Sequence, residues 1–128
     1  MRSSTSILVI EDEPNLRCTL AMILQRAGYT VTAASHARDA LRLVEARAYD
    51  LVLLDVDRIE PGDTDLLAAI YRLSPALSLL ILTASPAMET MGGADWIRRR
   101  ICLVKPVDPA RILACIHDIL DPPISSIR

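Results

Sequence analysis

The chain has 128 residues, of which 52% are hydrophobic, with three cysteines and a formal net charge of -2 at pH 7. This length suits a single domain. The slightly acidic net charge argues against direct nucleic-acid binding. No apolar run approaches the roughly 18 residues that cross a membrane, so no membrane partner is predicted. Because three cysteines without a CxxC pair suggest neither a disulfide framework nor a zinc site, a reducing cytoplasm is the expected location.

Short apolar runs alternate with amphipathic segments along the whole chain. In chain order, the predicted elements are strand 7–10, helix 14–27, strand 29–33, helix 36–48, strand 51–55, helix 65–73, strand 77–82, helix 87–96, strand 101–104 and helix 109–120. Pro14 suits the first turn of its helix, Gly28 supplies a stop after it, and Asp108 is a predicted cap of the last helix. Strand 29–33 contains polar residues that suit an edge position. Helix 87–96 is expected to be short or broken, because Gly92-Gly93 interrupts it.

Strict alternation of strands and helices predicts an α/β fold with a doubly wound, five-stranded parallel sheet. In the flavodoxin-like (βα)5 version of this architecture, the strand order is 2-1-3-4-5. We expect this domain to occupy residues 1–120, with residues 121–128 as a linker or tail.

Polar side chains follow four of the predicted strands. Strand order 2-1-3-4-5 makes the first and third strands neighbours, so Glu11, Asp12 and Asp55 are expected in one crevice at the carboxyl edge of the sheet. Thr83 ends the fourth strand and Lys105 follows the fifth, so both flank the same edge. Three carboxylates, one hydroxyl and one ammonium are therefore predicted to converge.

This group of side chains suits phosphoryl transfer. Clustered carboxylates repel one another unless a cation compensates them, and Mg²⁺ is the expected ion because its ligands are oxygen atoms. The phosphoryl group needs positioning and electrostatic stabilisation, which Mg²⁺, Lys105 and the hydroxyl of Thr83 would supply. Asp55 is the candidate nucleophile, forming an acyl phosphate.

Over roughly residues 6–120 the sequence resembles the receiver domain of two-component response regulators. The motifs that carry the resemblance are Glu11-Asp12, the strand-ending Asp55, Thr83-Ala84 and Lys105-Pro106. The resemblance implies that Asp55 is the phosphoacceptor and that Mg²⁺ is held by Asp12, Asp55 and the main-chain carbonyl of Asp57. It also implies a supporting acidic role for Glu11, phosphate contact by Lys105 and a switching role for Thr83.

The same resemblance implies the partners. A sensor histidine kinase or phosphotransfer protein would donate the phosphoryl group, and an effector domain is a candidate continuation after Arg128. The face formed by helix 87–96, the fifth strand and the closing helix would carry the output and is a candidate homodimer surface. The chain would be a signalling phosphoacceptor rather than an enzyme, with only self-catalysed phosphotransfer and slow autodephosphorylation.

Some positions depart from the family pattern and leave alternatives open. Cys102 stands where family members usually have an aromatic residue, and Ile59 stands where a proline is typical. Asp57 is either a solvated loop acid or a residue over the phosphoryl group. Asp55-Val56-Asp57 also resembles the DxDx(T/V) motif of haloacid-dehalogenase-type phosphatases, although that motif ends the first strand in those enzymes. A degenerate receiver that works only as a binding module is the third interpretation.

Overall fold

This computed structural model describes residues 5–55, 63–84 and 100–121, except for the side chains of residues 63, 64 and 100. The described residues form nine helices and strands. The elements in chain order are β1 (Ser6–Ile10), α1 (Pro14–Arg26), β2 (Thr30–Ala34), α2 (Ala37–Ala46), β3 (Leu51–Asp55), α3 (Asp63–Leu73), β4 (Ser78–Thr83), β5 (Arg100–Val104) and α4 (Pro109–Leu120). None of the helices described is long and apolar enough to cross a membrane.

All strand pairs are parallel, and the sheet has the order β2-β1-β3-β4-β5. The predicted α/β, flavodoxin-like arrangement is therefore confirmed, including the edge position of β2. β1, β3 and β4 are almost entirely buried, as expected for strands covered by helices on both faces. Their unbroken runs of Leu, Ile and Val reflect this burial.

Alternate strand residues divide the interior into two cores, one on each face of the sheet. The α2–α3 core lies under α2 and α3, and its strand members are Leu8, Ile10, Ala34, Val52, Leu54, Leu79 and Ile81. The α1–α4 core lies under α1 and α4, and its strand members are Ile7, Val9, Leu51, Leu53, Leu80, Leu82 and Leu103. The two cores hold the sheet rigidly and so fix the relative positions of its strand ends.

Local sequence signals explain where α1 and α4 begin. Pro14 occupies the first turn of α1, and the Glu13 carboxylate accepts hydrogen bonds from the amides of Asn15 and Leu16. Asp108 caps α4 in the same manner, because its Oδ1 lies 2.9 Å from the amide nitrogen of Arg111. The chain leaves α1 through Gly28, whose φ of 101° is a left-handed conformation that favours glycine.

Predicted boundaries differ from the observed ones by a few residues. β2 runs one residue later than expected, and α3 begins at Asp63 rather than at Asp65. Asp63, like Asp65, is an acidic residue of the kind favoured beside the positive end of a helix dipole, so either residue suits the first turn of α3. The predicted helix 87–96 and, apart from residue 121, the predicted tail 121–128 lie outside the described residues.

Candidate functional site

The carboxyl edge of the sheet brings together the ends of β1, β3, β4 and β5. Ile10 is paired with Leu54, so Glu11 and Asp55 each stand one residue further along neighbouring strands. Asp55 is paired with Leu82, and Thr83 with Val104. Lys105 follows directly, and its backbone amide donates a hydrogen bond of 2.7 Å to the carbonyl of Thr83.

Asp55 and Lys105 form an ion pair at this edge. The ammonium Nζ of Lys105 contacts Oδ1 of Asp55, and the two side chains are 29% and 3% exposed, respectively. No backbone amide of the described residues donates a hydrogen bond to this Oδ1 atom. A buried carboxylate requires a compensating group, and the lysine, which is the only one in the sequence, supplies it.

Glu11 is buried beside the same carboxylate. Its Oε2 accepts a hydrogen bond of 2.8 Å from the amide of Glu13. Burial, together with the neighbouring carboxyl groups of Asp12 and Asp55, raises the pKa of Glu11 to about 7, against the opposing effect of the hydrogen bond from the Glu13 amide. Glu11 therefore interacts with both of the other predicted carboxylates, Asp12 and Asp55.

Asp12 and Glu13 lie at the exposed rim of this acidic turn. The Asp12 carboxyl group lies close enough to that of Glu11 to raise its pKa. Glu13 uses both of its carboxylate oxygens to cap α1. This role was not predicted from the sequence. Helix capping therefore falls to Glu13, and the side chain of Asp12 is not needed for it.

Thr83 is fully buried at the end of β4. Strand alternation places Asp55 on the α1–α4 face of the sheet and Thr83 on the opposite, α2–α3 face. Cys102 packs partly buried against the α2–α3 core, on the same face as Thr83. The small thiol thus occupies the sheet face onto which the threonine side chain projects.

Arg17 is a second residue near the site that the sequence interpretation did not identify. Its guanidinium Nη1 donates hydrogen bonds to the backbone carbonyls of Glu11, at 2.9 Å, and Asp12, at 3.4 Å. A long cationic side chain one turn into the helix that follows an acidic turn is the sequence signal that could have revealed it. Arg17 also lines an open cavity of about 390 Å³ beside the end of β2.

The residues present fit a hard divalent cation. Within residues 5–55, 63–84 and 100–121, no group of three or more His, Cys, Asp or Glu side chains could hold a metal ion. Mg²⁺, however, commonly takes only one or two protein carboxylates and fills its other positions with water and phosphate oxygens. Burial is the main cause of the raised pKa of Glu11, and the nearby carboxyl groups of Asp12 and Asp55 add a charge repulsion that such an ion would relieve. Asp57, whose main-chain carbonyl was predicted as a ligand, lies outside the described residues.

Comparison with known proteins identifies the family. The sequence profile described as "Response regulator receiver domain" matches residues 7–117. The chain belongs to this receiver family. The transcriptional regulatory protein ZraR of Salmonella typhimurium is 36% identical over 121 residues, which cover 94% of this chain and 27% of ZraR. GlrR of Escherichia coli is 30% identical over 115 residues, covering 90% of this chain and 26% of GlrR. The receiver domain thus spans about a quarter of the length of these relatives.

Solved structures agree with this assignment. The response regulator TrrA of Thermotoga maritima, described in complex with Mg²⁺ and BeF, superposes with a TM-score of 0.76 at 25% identity, covering 91% of this receiver domain and 99% of TrrA. A CheY-like receiver domain from Methanospirillum hungatei superposes with a TM-score of 0.78 at 26% identity, covering 93% and 95% of the two chains. The chain is therefore a signalling module of two-component systems with the fold predicted from its sequence.

Proposed function

We propose that Asp55 is the phosphoacceptor of this receiver domain and that a sensor histidine kinase or phosphotransfer protein is its donor. The observation that carries the proposal is the pairing of a 3% exposed strand-end carboxylate with the Lys105 ammonium. A buried carboxylate that is held at the edge of a rigid sheet is well positioned for in-line attack on phosphorus.

In the proposed step, a carboxylate oxygen of Asp55 attacks the phosphorus atom and forms a new P–O bond. The bond from phosphorus to the donor breaks, and the donor nitrogen of a phosphohistidine leaves with the electron pair and takes up a proton. Lys105 shifts from the carboxylate toward a phosphoryl oxygen, where its charge stabilises the transferred group. Slow attack by water on the acyl phosphate would return Asp55 to its original state.

The proposal assigns Mg²⁺ to Asp12, Asp55 and the main-chain carbonyl of Asp57, with Glu11 supporting them. When bound, Mg²⁺ neutralises charge on the phosphoryl oxygens during transfer. Asp12 is exposed at the rim and is not used for capping, which suits a ligand. Glu11 is buried behind it and accepts the amide of Glu13, so it maintains the conformation of the acidic turn.

The proposal further assigns a switching role to Thr83, whose hydroxyl would turn toward the phosphoryl group. The output surface would comprise residues 87–96, β5 and α4, and it would also serve homodimerisation. Its support among the described residues is the 40% exposed Ile101 of β5. Because the relatives are longer than this chain, an effector domain is proposed to follow the receiver domain (1–120) and its linker (121–128). The proposed location of the whole protein is the cytoplasm.

Labelling with acetyl phosphate tests the proposed acceptor. We expect Mg²⁺-dependent incorporation of one phosphoryl group per chain, detected by intact-protein mass spectrometry and localised to Asp55 by peptide mapping. Asp55→Asn should abolish the label. Asp57→Asn is the matched control, because it retains the main-chain carbonyl and should still be labelled.

The two alternative interpretations give different results in the same experiment. A phosphatase would release many equivalents of phosphate from a small phosphomonoester rather than retain one label. A degenerate receiver would take no label and would show no response to beryllofluoride with Mg²⁺. Labelling of the Asp55→Asn variant at the wild-type level would reject the assignment of Asp55.

A further inference from the structure

Arg17 connects α1 to the backbone of the acidic turn. Its Nη1 atom donates to the Glu11 carbonyl at 2.9 Å and to the Asp12 carbonyl at 3.4 Å. The donor is charged, which strengthens the 2.9 Å bond to Glu11, whereas the 3.4 Å contact with Asp12 is longer and weaker. No carboxylate of the described residues lies within ion-pair distance of Arg17, so two main-chain carbonyls are the partners that orient its guanidinium.

The same turn is attached to the sheet on its other side. The backbone amide of Glu11 donates a hydrogen bond of 3.0 Å to the carbonyl of Ala34 at the end of β2. Among the described residues, Asp12 makes no such bond to the sheet, and the guanidinium of Arg17, at 3.4 Å, is the side-chain donor to its carbonyl. Arg17 therefore acts together with the hydrogen bonds of Glu11 and Glu13 on the backbone that carries the Asp12 side chain.

We propose that Arg17 is a positioning residue for the cation site and that it orients the Asp12 carboxylate through the backbone of the acidic turn. This inference rests on the proposed function, because it requires Asp12 to be a Mg²⁺ ligand. Arg17 contacts neither the ion nor the phosphoryl group. Arg17 restrains the turn before Mg²⁺ binds, so the turn loses less conformational entropy when the ion is bound.

Charge and positioning predict opposite results when Arg17 is removed. A guanidinium near a cation site repels Mg²⁺, so the loss of its charge alone would strengthen binding. Loss of the two carbonyl contacts would weaken binding, because Asp12 would no longer be held in place. The direction of the change in Mg²⁺ affinity therefore distinguishes the two effects.

The experiment is calorimetric titration of the whole chain with MgCl₂. We expect Arg17→Ala to weaken binding about 10-fold, at the lower end of the range for residues that orient metal ligands. Arg42→Ala is the matched control, because Arg42 lines the same cavity but pairs with Asp39 instead of the acidic turn. It should leave the affinity unchanged or slightly increased. Arg17→Lys retains the charge but has a single donor nitrogen, so it should show an intermediate affinity, which provides a second test if Arg17→Ala fails to fold.

Acetyl phosphate labelling supplies a second measurement. Arg17→Ala should need a higher Mg²⁺ concentration for half-maximal labelling of Asp55, whereas its rate at saturating Mg²⁺ should approach the wild-type rate. Unchanged or tighter Mg²⁺ binding by Arg17→Ala and Arg17→Lys would overturn the inference and leave the proposed function intact. Failure of the wild-type chain to bind Mg²⁺ would overturn both.

Discussion

Replacing Lys105 by alanine removes the cation that faces the buried Asp55 carboxylate. Breaking a fully buried ion pair costs roughly 3–5 kcal/mol, whereas exposed pairs contribute at most about 1 kcal/mol. Because Asp55 is 3% exposed and Lys105 is 29% exposed, we expect an intermediate loss. About 2 kcal/mol of unfolding free energy corresponds to a fall in Tm of roughly 7 °C, given about 2.1 cal/mol/K of unfolding entropy per residue over 128 residues.

The assay is thermal unfolding followed by circular dichroism in EDTA at pH 7. Asp55→Asn removes the buried charge, so Lys105→Ala in that background should cost less than about 1 kcal/mol. Arg42→Ala is the control for loss of a positive charge. It should cost less than about 0.5 kcal/mol, because its ion pair with Asp39 is long, at 3.9 Å, and lies on an exposed helix surface.

Mg²⁺ should restore part of the stability that Lys105→Ala loses, because the ion provides a second positive charge beside the carboxylates. An ion pair with Asp55 would be refuted as the cause if Lys105→Ala lowered Tm by the same amount in the wild-type chain and in the Asp55→Asn variant. It would also be refuted if the effect were no larger than that of Arg42→Ala.

Three further predictions concern the surroundings of the site. Glu13→Ala should lower the free energy of unfolding by about 1 kcal/mol, because the α1 cap is lost. It should weaken Mg²⁺ binding less than Asp12→Asn does. A larger effect on Mg²⁺ affinity would show that Glu13 contributes to the cation site. Asp108→Ala should cost a similar free energy in urea unfolding and leave acetyl phosphate labelling unchanged; impaired labelling would contradict a purely capping role. Cys18 is exposed, whereas burial raises the pKa of the Cys115 thiol. Iodoacetamide should therefore alkylate Cys18 first at pH 7.5, and alkylation of Cys115 should accelerate as the pH rises. Equal alkylation rates, measured by peptide mass spectrometry, would contradict this order.

Much of the fold could be predicted because hydrophobic pattern and sheet topology agree. The runs that became β1, β3 and β4 are too short for helices and are uniformly apolar, so they indicated buried parallel strands. Parallel strands end at a common edge, which is why residues far apart in sequence, such as Asp55 and Lys105, could be expected to meet. Their ion pair follows from strand order.

What could not be predicted depends on geometry within single turns. The sequence Glu11-Asp12-Glu13 offers three consecutive acids, and side-chain type alone does not indicate which of them caps α1. Backbone direction decides this, since Glu13 faces the first amides of the helix and Glu11 turns inward. The contact of Arg17 was missed for the same reason, because its partners are main-chain carbonyls that every residue possesses.

The separation of the interior into an α1–α4 core and an α2–α3 core has a consequence for how this domain tolerates change. Residues on opposite faces of the sheet, such as Leu24 and Ile70, share no cluster, so the energetic effects of substituting them should simply add. Sequence drift beneath one pair of helices then needs no compensating change beneath the other. A protein engineer could redesign one side for stability while the other retains its original packing.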